Sequence, residues 1–183
     1  MKYQMNIFIT EEEYIKFNEF VVFKSFYSKA TGGFFKYLPV IFSIVTTILF
    51  YIIFGMNWFS NLYCIASVIE IIVHFFRIDK YTRKVVVKSL KISKKQGKLP
   101  YDSEMVLEFY DDKIIEISKS SKTELLYSAI ERVSVLKDGT IYLHQNQAMA
   151  NIIPAIIFNS GINYNEFLEF IKSKCSVIDY FEK

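Results

Sequence analysis

The sequence predicts a membrane α-helical hairpin joined to a cytoplasmic α+β domain, an antiparallel sheet capped by a C-terminal helix. Three observations predict it. Residues Tyr37–Phe54 carry no charge over 18 positions, which is enough for a helix to cross a hydrocarbon core. A second apolar run, Trp58–Phe76, follows after only Gly55-Met56-Asn57. Beyond residue 99 the pattern changes to short alternating runs, the signature of half-buried strands. The composition agrees: apolar residues reach 52% and aromatics 17%, too many for an ordinary soluble chain of 183 residues.

The N-terminal segment, 1–36, reads as a strand and an amphipathic helix. Tyr3–Ile9 is the strand. Thr10-Glu11-Glu12-Glu13 then forms a capping box, with a hydroxyl at the cap and a carboxylate three residues on. The helix should run to about Ser28, with Tyr14, Phe17, Phe20, Val21 and Phe23 against Lys16, Glu19 and Lys24. Such a helix suits either a membrane interface or packing on the soluble domain. Gly32-Gly33 breaks it. If the strand joins the downstream sheet, the hairpin is an insertion within one soluble domain, and a lone exposed strand is the poorer alternative.

Residues 37–76 hold the two transmembrane helices, 37–54 and 58–76. Pro39 falls in the first turn of the first helix, where its missing N–H costs least. Tyr51 and Trp58 suit the interface around the connecting turn. Lys24, Lys29 and Lys36 precede the first span, Arg77, Lys80, Arg83 and Lys84 follow the second, and the turn is uncharged. The bias of basic residues toward the cytoplasmic side then predicts a multi-pass membrane protein with both termini cytoplasmic. No cleavable signal peptide is evident.

Residues 77–98 read as a basic juxtamembrane helix ended by Gln96-Gly97-Lys98-Leu99-Pro100. The stretch carries nine bases and one acid, whereas residues 99–183 carry thirteen acids and eight bases. The net charge of +3 hides this asymmetry. Arg77, Lys80, Arg83, Lys84 and Lys88 are the candidate contacts for anionic lipid headgroups, each basic residue near the surface contributing about 1 kcal/mol.

In residues 99–183 the expected strands are Met105–Tyr110, Ile114–Ser118, Glu124–Tyr127, Arg132–Leu136, Thr140–His144 and Ala150–Ile153. Asp111-Asp112-Lys113 and Lys137-Asp138-Gly139 are turns. Ser160–Lys174 is the closing helix, with Tyr164, Phe167, Leu168, Phe170 and Ile171 at helical spacing.

Tyr127-Ser128-Ala129-Ile130, Ile141-Tyr142-Leu143, Gln147-Ala148, Ile152-Ile153-Pro154, Phe158, and Phe167 and Phe170 of the closing helix together carry a family likeness. Over roughly residues 100 to 172 the chain resembles the YcxB-like family of small bacterial membrane proteins. The resemblance implies a pleckstrin-homology-like (PH-like) domain, a bent antiparallel sheet capped by one helix. The family has no assigned activity, so no catalytic residue carries over. Spacing around Met149-Ala150-Asn151 departs from the family pattern and leaves that strand's register open.

No catalytic constellation stands out. GxxxxGK[ST], GxGxxG and HExxH are all absent from the sequence. The pair Asp111-Asp112 falls in a turn and His144 ends a strand. Two histidines are too few for a zinc site. Cys64 and Cys175 are too few and too far apart for a disulfide framework, which suits a reducing cytoplasm. The expectation is no enzyme and no cofactor. The partners expected are the lipid bilayer and either another membrane protein or a homo-oligomer, with no nucleic acid.

One intramembrane feature invites a closer reading. Ser60, Cys64, Ser67, Glu70 and His74 form a polar stripe on the second span, and Ser43, Thr46 and Thr47 a shorter one on the first. Glu70 lies roughly 9 Å from the cytoplasmic end at 1.5 Å per residue, level with Ser43. Ser67 is level with Thr46. The favoured reading is structural: Glu70 bonds Ser43 or reaches for the interface, and Ser43, Thr46, Ser67, Glu70 and His74 form the polar contact between spans. An ion-coupled role and a partner-helix contact are the alternatives.

Three functions fit these features. The first is a membrane-anchored protein- or lipid-interaction module. The second is an immunity-type membrane protein protecting against a peptide toxin or bacteriocin. The third is a small ion-coupled transport subunit built around Glu70.

Overall fold

A computed structural model of the chain describes residues 1–23, 33–146 and 149–181, with backbone alone at 23, 33–36, 78 and 79. It divides into two units: Met1–Phe17 with Ile92–Lys183, and Asn18–Lys91.

The first unit is α+β. β1 (Tyr3–Phe8), β2 (Glu104–Phe109), β3 (Lys113–Ser118) and β4 (Lys122–Leu126) form one antiparallel sheet in chain order. The N-terminal strand therefore pairs with the downstream sheet, Tyr3 opposite Phe109 and Phe8 opposite Glu104. It is not a piece separate from the C-terminal domain, as a 1–36 segment would be. The reason is its alternation: Met5 and Ile7 are buried while Gln4, Asn6 and Phe8 face out.

β5 (Arg132–Leu136), β6 (Ile141–His144), β7 (Ala150–Ile153) and β8 (Ile178–Phe181) form a second sheet in the order β7-β6-β5-β8. Two sheets thus replace the single one expected. The register left open around Met149-Ala150-Asn151 is fixed by Leu143 opposite Asn151 and Ile141 opposite Ile153. Gly139, at φ +87°, takes the left-handed position in the β5–β6 turn, where Asp138 Oδ1 accepts from the Thr140 N–H at 3.0 Å. β8 lies parallel to β5 and was not legible in the sequence. Arg132 on β5 ion-pairs with Asp179 on β8.

Between β7 and β8 in the chain lies α4 (Tyr164–Lys174). It starts four residues later than Ser160. Gly161, at φ +100°, interrupts the chain there, and Asn163 Oδ1 caps the helix by accepting from the N–H groups of Asn165 and Glu166. Phe167 and Ile171 on α4 are fully buried with Leu107, Phe109, Val133, Ile141, Leu143 and Ile153 of the sheets. The Phe167 ring packs edge-on against Tyr3 and Phe109. Two further bonds tie the unit together. The Tyr127 hydroxyl donates to the Tyr110 carbonyl at 2.8 Å, and Asn151 Nδ2 of the second sheet donates to Glu116 Oε2 of the first.

α1 (Glu11–Phe23) begins with the predicted box. Glu13 Oε2 accepts from the Thr10 N–H at 2.6 Å, and the Glu13 N–H donates to Thr10 Oγ1 at 3.2 Å. Within the first unit, Phe17 meets Tyr142 edge-on and Tyr14 stacks on Tyr101, so the start of α1 packs on the α+β unit. The expected run to Ser28 and the break at Gly32 lie outside the described residues. Thr10→Ala is expected to lower the unit's stability by about 1 kcal/mol, read from a urea unfolding curve. An unchanged midpoint would show that the box contributes nothing.

The second unit holds the apolar helices. α2 (Gly33–Phe54) and α3 (Trp58–Lys95) are joined by a turn in which Gly55 takes φ +70° and Asn57 Oδ1 accepts from the Ser60 N–H. The apolar run and the basic stretch are one continuous helix of 38 residues, about 57 Å long at 1.5 Å per residue. Tyr37–Phe54 and Trp58–Arg77 are long and apolar enough to cross a membrane, and only 6% and 11% of them are buried within the structure. Two such runs with almost no cover are not soluble core helices, which would be mostly buried.

Candidate functional site

The apolar part of α3 ends at Arg77, and its next five turns concentrate positive charge. Arg77, Lys80, Arg83, Lys84, Lys88, Lys91, Lys94 and Lys95 recur three or four residues apart, so at about 100° per residue they share about 140° of the helix circumference. Tyr81, Val85, Ser89 and Ile92 occupy the other side. An open groove of about 530 Å³ runs along the basic face, lined by Lys80, Arg83, Lys84, Val87, Lys88 and Lys91.

Arg83 Nη1 lies 3.6 Å from Glu19 Oε1 of α1. Among the described residues Lys80, Lys84, Lys88 and Lys91 make no ion pair. The groove therefore presents four uncompensated ammonium groups around one valine. This chemistry attracts phosphate-bearing headgroups, and the Val87 side chain and lysine stems offer apolar cover. Four of the five expected contacts line it. Arg77 is exposed at the end of the apolar segment, outside that lining. Lys91 was missed, although its place three residues after Lys88 put it on the same face.

The expected intramembrane contact is assembled differently. Thr47 Oγ1 lies 3.0 Å from Ser67 Oγ, and the hydroxyls of both Thr46 and Thr47 turn back onto the Ser43 carbonyl, at 3.0 and 2.8 Å. Tyr51 donates to Asn61, and Phe50 stacks on Tyr63. Ser67 thus reaches α2 through Thr47 and not through its level neighbour Thr46. Ser43 is buried and its hydroxyl has no hydrogen bond. Glu70 is exposed and does not bond Ser43. The reason is helical phase: three residues beyond Ser67 is about 300° of rotation, which turns Glu70 about 60° out of the contact line. His74 lies half-buried beside Phe75.

In the α+β unit the polar side chains of Ser134, His144 and Asn151 are buried. His144 is fully buried, its Nε2 3.1 Å from Ser134 Oγ, with the Phe17 and Tyr142 rings about it. Burial, and next the positive charge of Arg132, push its pKa down to about 4, against the smaller opposing effects of Asp179 and Glu131. Burial likewise raises Cys175 to about 11, which leaves it an inert thiol at neutral pH. Among the described residues no group of three or more His, Cys, Asp or Glu side chains is placed to hold a metal.

A neutral buried histidine has a consequence in acid. The unfolded chain binds a proton near pH 6.5 that the folded chain refuses until about pH 4. Stability is therefore full above pH 6.5 and falls as pH drops from there toward 4. A loss of about 2 kcal/mol between pH 7.5 and 5 is expected from this group alone. His144→Asn should flatten that part of the pH profile; an equally steep profile in the variant would assign the loss to other groups.

The chain is thus an α+β unit that carries two membrane-length apolar helices inserted between its first strand and the rest of its sheets. The family model described as YcxB-like protein matches residues 109–171, and the chain carries a YcxB-like domain there. The matched stretch runs from the end of β2 into α4, within the region where the sequence resemblance lay. Gln147-Ala148, part of that resemblance, lies outside the described residues. No curated protein and no solved structure matches the chain.

Proposed function

We propose that the chain is an integral membrane protein of the bacterial cytoplasmic membrane, anchored by the α2–α3 hairpin, with both termini cytoplasmic. Its work is that of a membrane-anchored interaction module, not an enzyme. The observation that carries this reading is the continuity of α3. One continuous helix passes from an apolar segment about 30 Å long, the thickness of a hydrocarbon core, directly into a face with four uncompensated lysines. At 1.5 Å per residue, Lys80 and Lys84 come about 5 and 10 Å after Arg77, in or beside the headgroup layer on this reading, while Lys88 and Lys91 extend the same charged face about 17 and 21 Å out.

The soluble unit supports the same reading. Four strands, then three, then a helix support a PH-like reading, a scaffold that presents surfaces to lipids and proteins, to which β8 adds a parallel strand after the helix. Such a unit needs no catalytic group to act. Nucleic acid is a poor ligand for this chain, because the cationic groups sit beside the bilayer and not on the acidic α+β unit.

The test is lipid retention. The full-length protein, taken from membranes into mild detergent, should keep phosphatidylglycerol in preference to zwitterionic lipid, read by mass spectrometry of the extracted lipids. Equal retention of both lipid classes would remove the headgroup reading.

A further inference from the structure

Glu70 is the one formally charged side chain within the two apolar runs. It is exposed on α3, and among the described residues it makes no hydrogen bond or ion pair. The groups facing α2 are already committed: Ser67 to Thr47, Asn61 to Tyr51 and Tyr63 to Phe50. In a bilayer, a carboxyl roughly 9 Å inside the apolar segment meets hydrocarbon, which offers no hydrogen bond.

The surface around it has the form of a helix seam. Leu62, Ala66, Glu70 and Val73 recur at spacings of four, four and three, the rhythm by which two helices share a line of contact. Leu62, Ala66 and Glu70 are exposed and Val73 is half-buried. Ala66 is small enough to let a second backbone approach closely.

Resting on the reading that α2 and α3 span the bilayer, we infer that a second copy of this chain packs on the Glu70 face, the two Glu70 carboxyls meeting at a twofold axis along the membrane normal. The chemistry selects a second copy. A carboxylic acid carries both an O–H donor and an acceptor oxygen, so two of them satisfy each other. A face with one such group at its centre is self-complementary, as a closed twofold contact requires. Any other protein would have to bring its own polar group to the same depth.

The experiment uses the full-length chain in native membranes, with Cys64→Ser and Cys175→Ser as background. Oxidation should link Val73→Cys into a dimer. Val68→Cys, two residues before Glu70 and so about 200° round the helix, should not link. Adding Glu70→Leu should cut Val73→Cys cross-linking roughly tenfold, while Glu70→Gln, which keeps a donor and an acceptor, should retain most of it. Two differently tagged copies of the otherwise native chain should also co-purify from mild detergent, which covers the case of a variant that fails to fold.

Cross-linking equal at Val68→Cys and Val73→Cys, cross-linking unchanged by Glu70→Leu, or capture of a different protein in place of a second copy would overturn the inference. Retention of the chain in carbonate-washed membranes is scored separately. Loss from those membranes overturns the insertion reading and this inference with it. Retention without cross-linking overturns this inference alone.

Discussion

Phe167→Ala is expected to unfold the α+β unit. The side chain is fully buried, and its ring touches Tyr3 of β1, Phe109 of β2 and Phe158 before α4. It is where the helix, the N-terminal strand and the first sheet meet. Truncating a buried phenylalanine costs about 3–5 kcal/mol through lost transfer energy and the cavity left behind. A domain of this size has about 5–15 kcal/mol to lose, so the variant should sit at or below the edge of folding. Limited proteolysis and thermal melting of the full-length protein in detergent read the effect. Phe167→Leu should lose far less, because it refills most of the volume. A melting curve for Phe167→Ala within a degree or two of the parent would show that α4 does not clamp the unit.

The second large effect concerns the basic face of α3. Replacing Lys80, Lys84, Lys88 and Lys91 together by Gln removes four charges that no acid in the described structure offsets. At about 1 kcal/mol each for Lys80 and Lys84, the two nearest the surface, the loss is about 2 kcal/mol, or roughly thirtyfold in preference for anionic lipid, and Lys88 and Lys91 add less because the attraction decays within a Debye length. The retention assay on phosphatidylglycerol reads it, and raised salt should weaken the parent's preference in the same direction. The fold should be untouched, since all four side chains are exposed. A quadruple variant that keeps the parent's lipid preference would mean that these lysines serve only to orient the hairpin.

What was legible in the sequence follows from the range of the interactions. The capping box at Thr10 and Glu13 was readable because both partners lie within one turn. The apolar helices were readable because length and near-absence of charge define them, Glu70 being the one exception. Strands β2, β3, β5, β6 and β7 were found near their observed bounds, since alternation is a local signal.

Long-range geometry was less readable. β8 is four residues long and pairs in parallel with β5, a contact that no neighbouring residue announces. The division into two sheets is likewise a matter of pairing and not of pattern. At the membrane, level alone suggested Glu70 opposite Ser43, yet helical phase governs which side chains meet. Counting 100° per residue from Ser67 would have turned Glu70 outward. The same count would have carried the basic face on from Lys88 to Lys91.

On the proposed reading, α2 and α3 cross a bilayer as a hairpin with both chain ends on one side. Thiol labelling of single-cysteine variants in sealed membranes, in a Cys64→Ser, Cys175→Ser background, tests it most directly. A cysteine at Met56, 91% exposed in the turn, and one at Met1 are each challenged with a membrane-impermeant reagent from either face. The Met56 position is expected to label only from outside the cell and the Met1 position only from the cytoplasmic face, in protein that carbonate does not extract. Labelling of both positions from the same face, or release of the chain by carbonate, would contradict it.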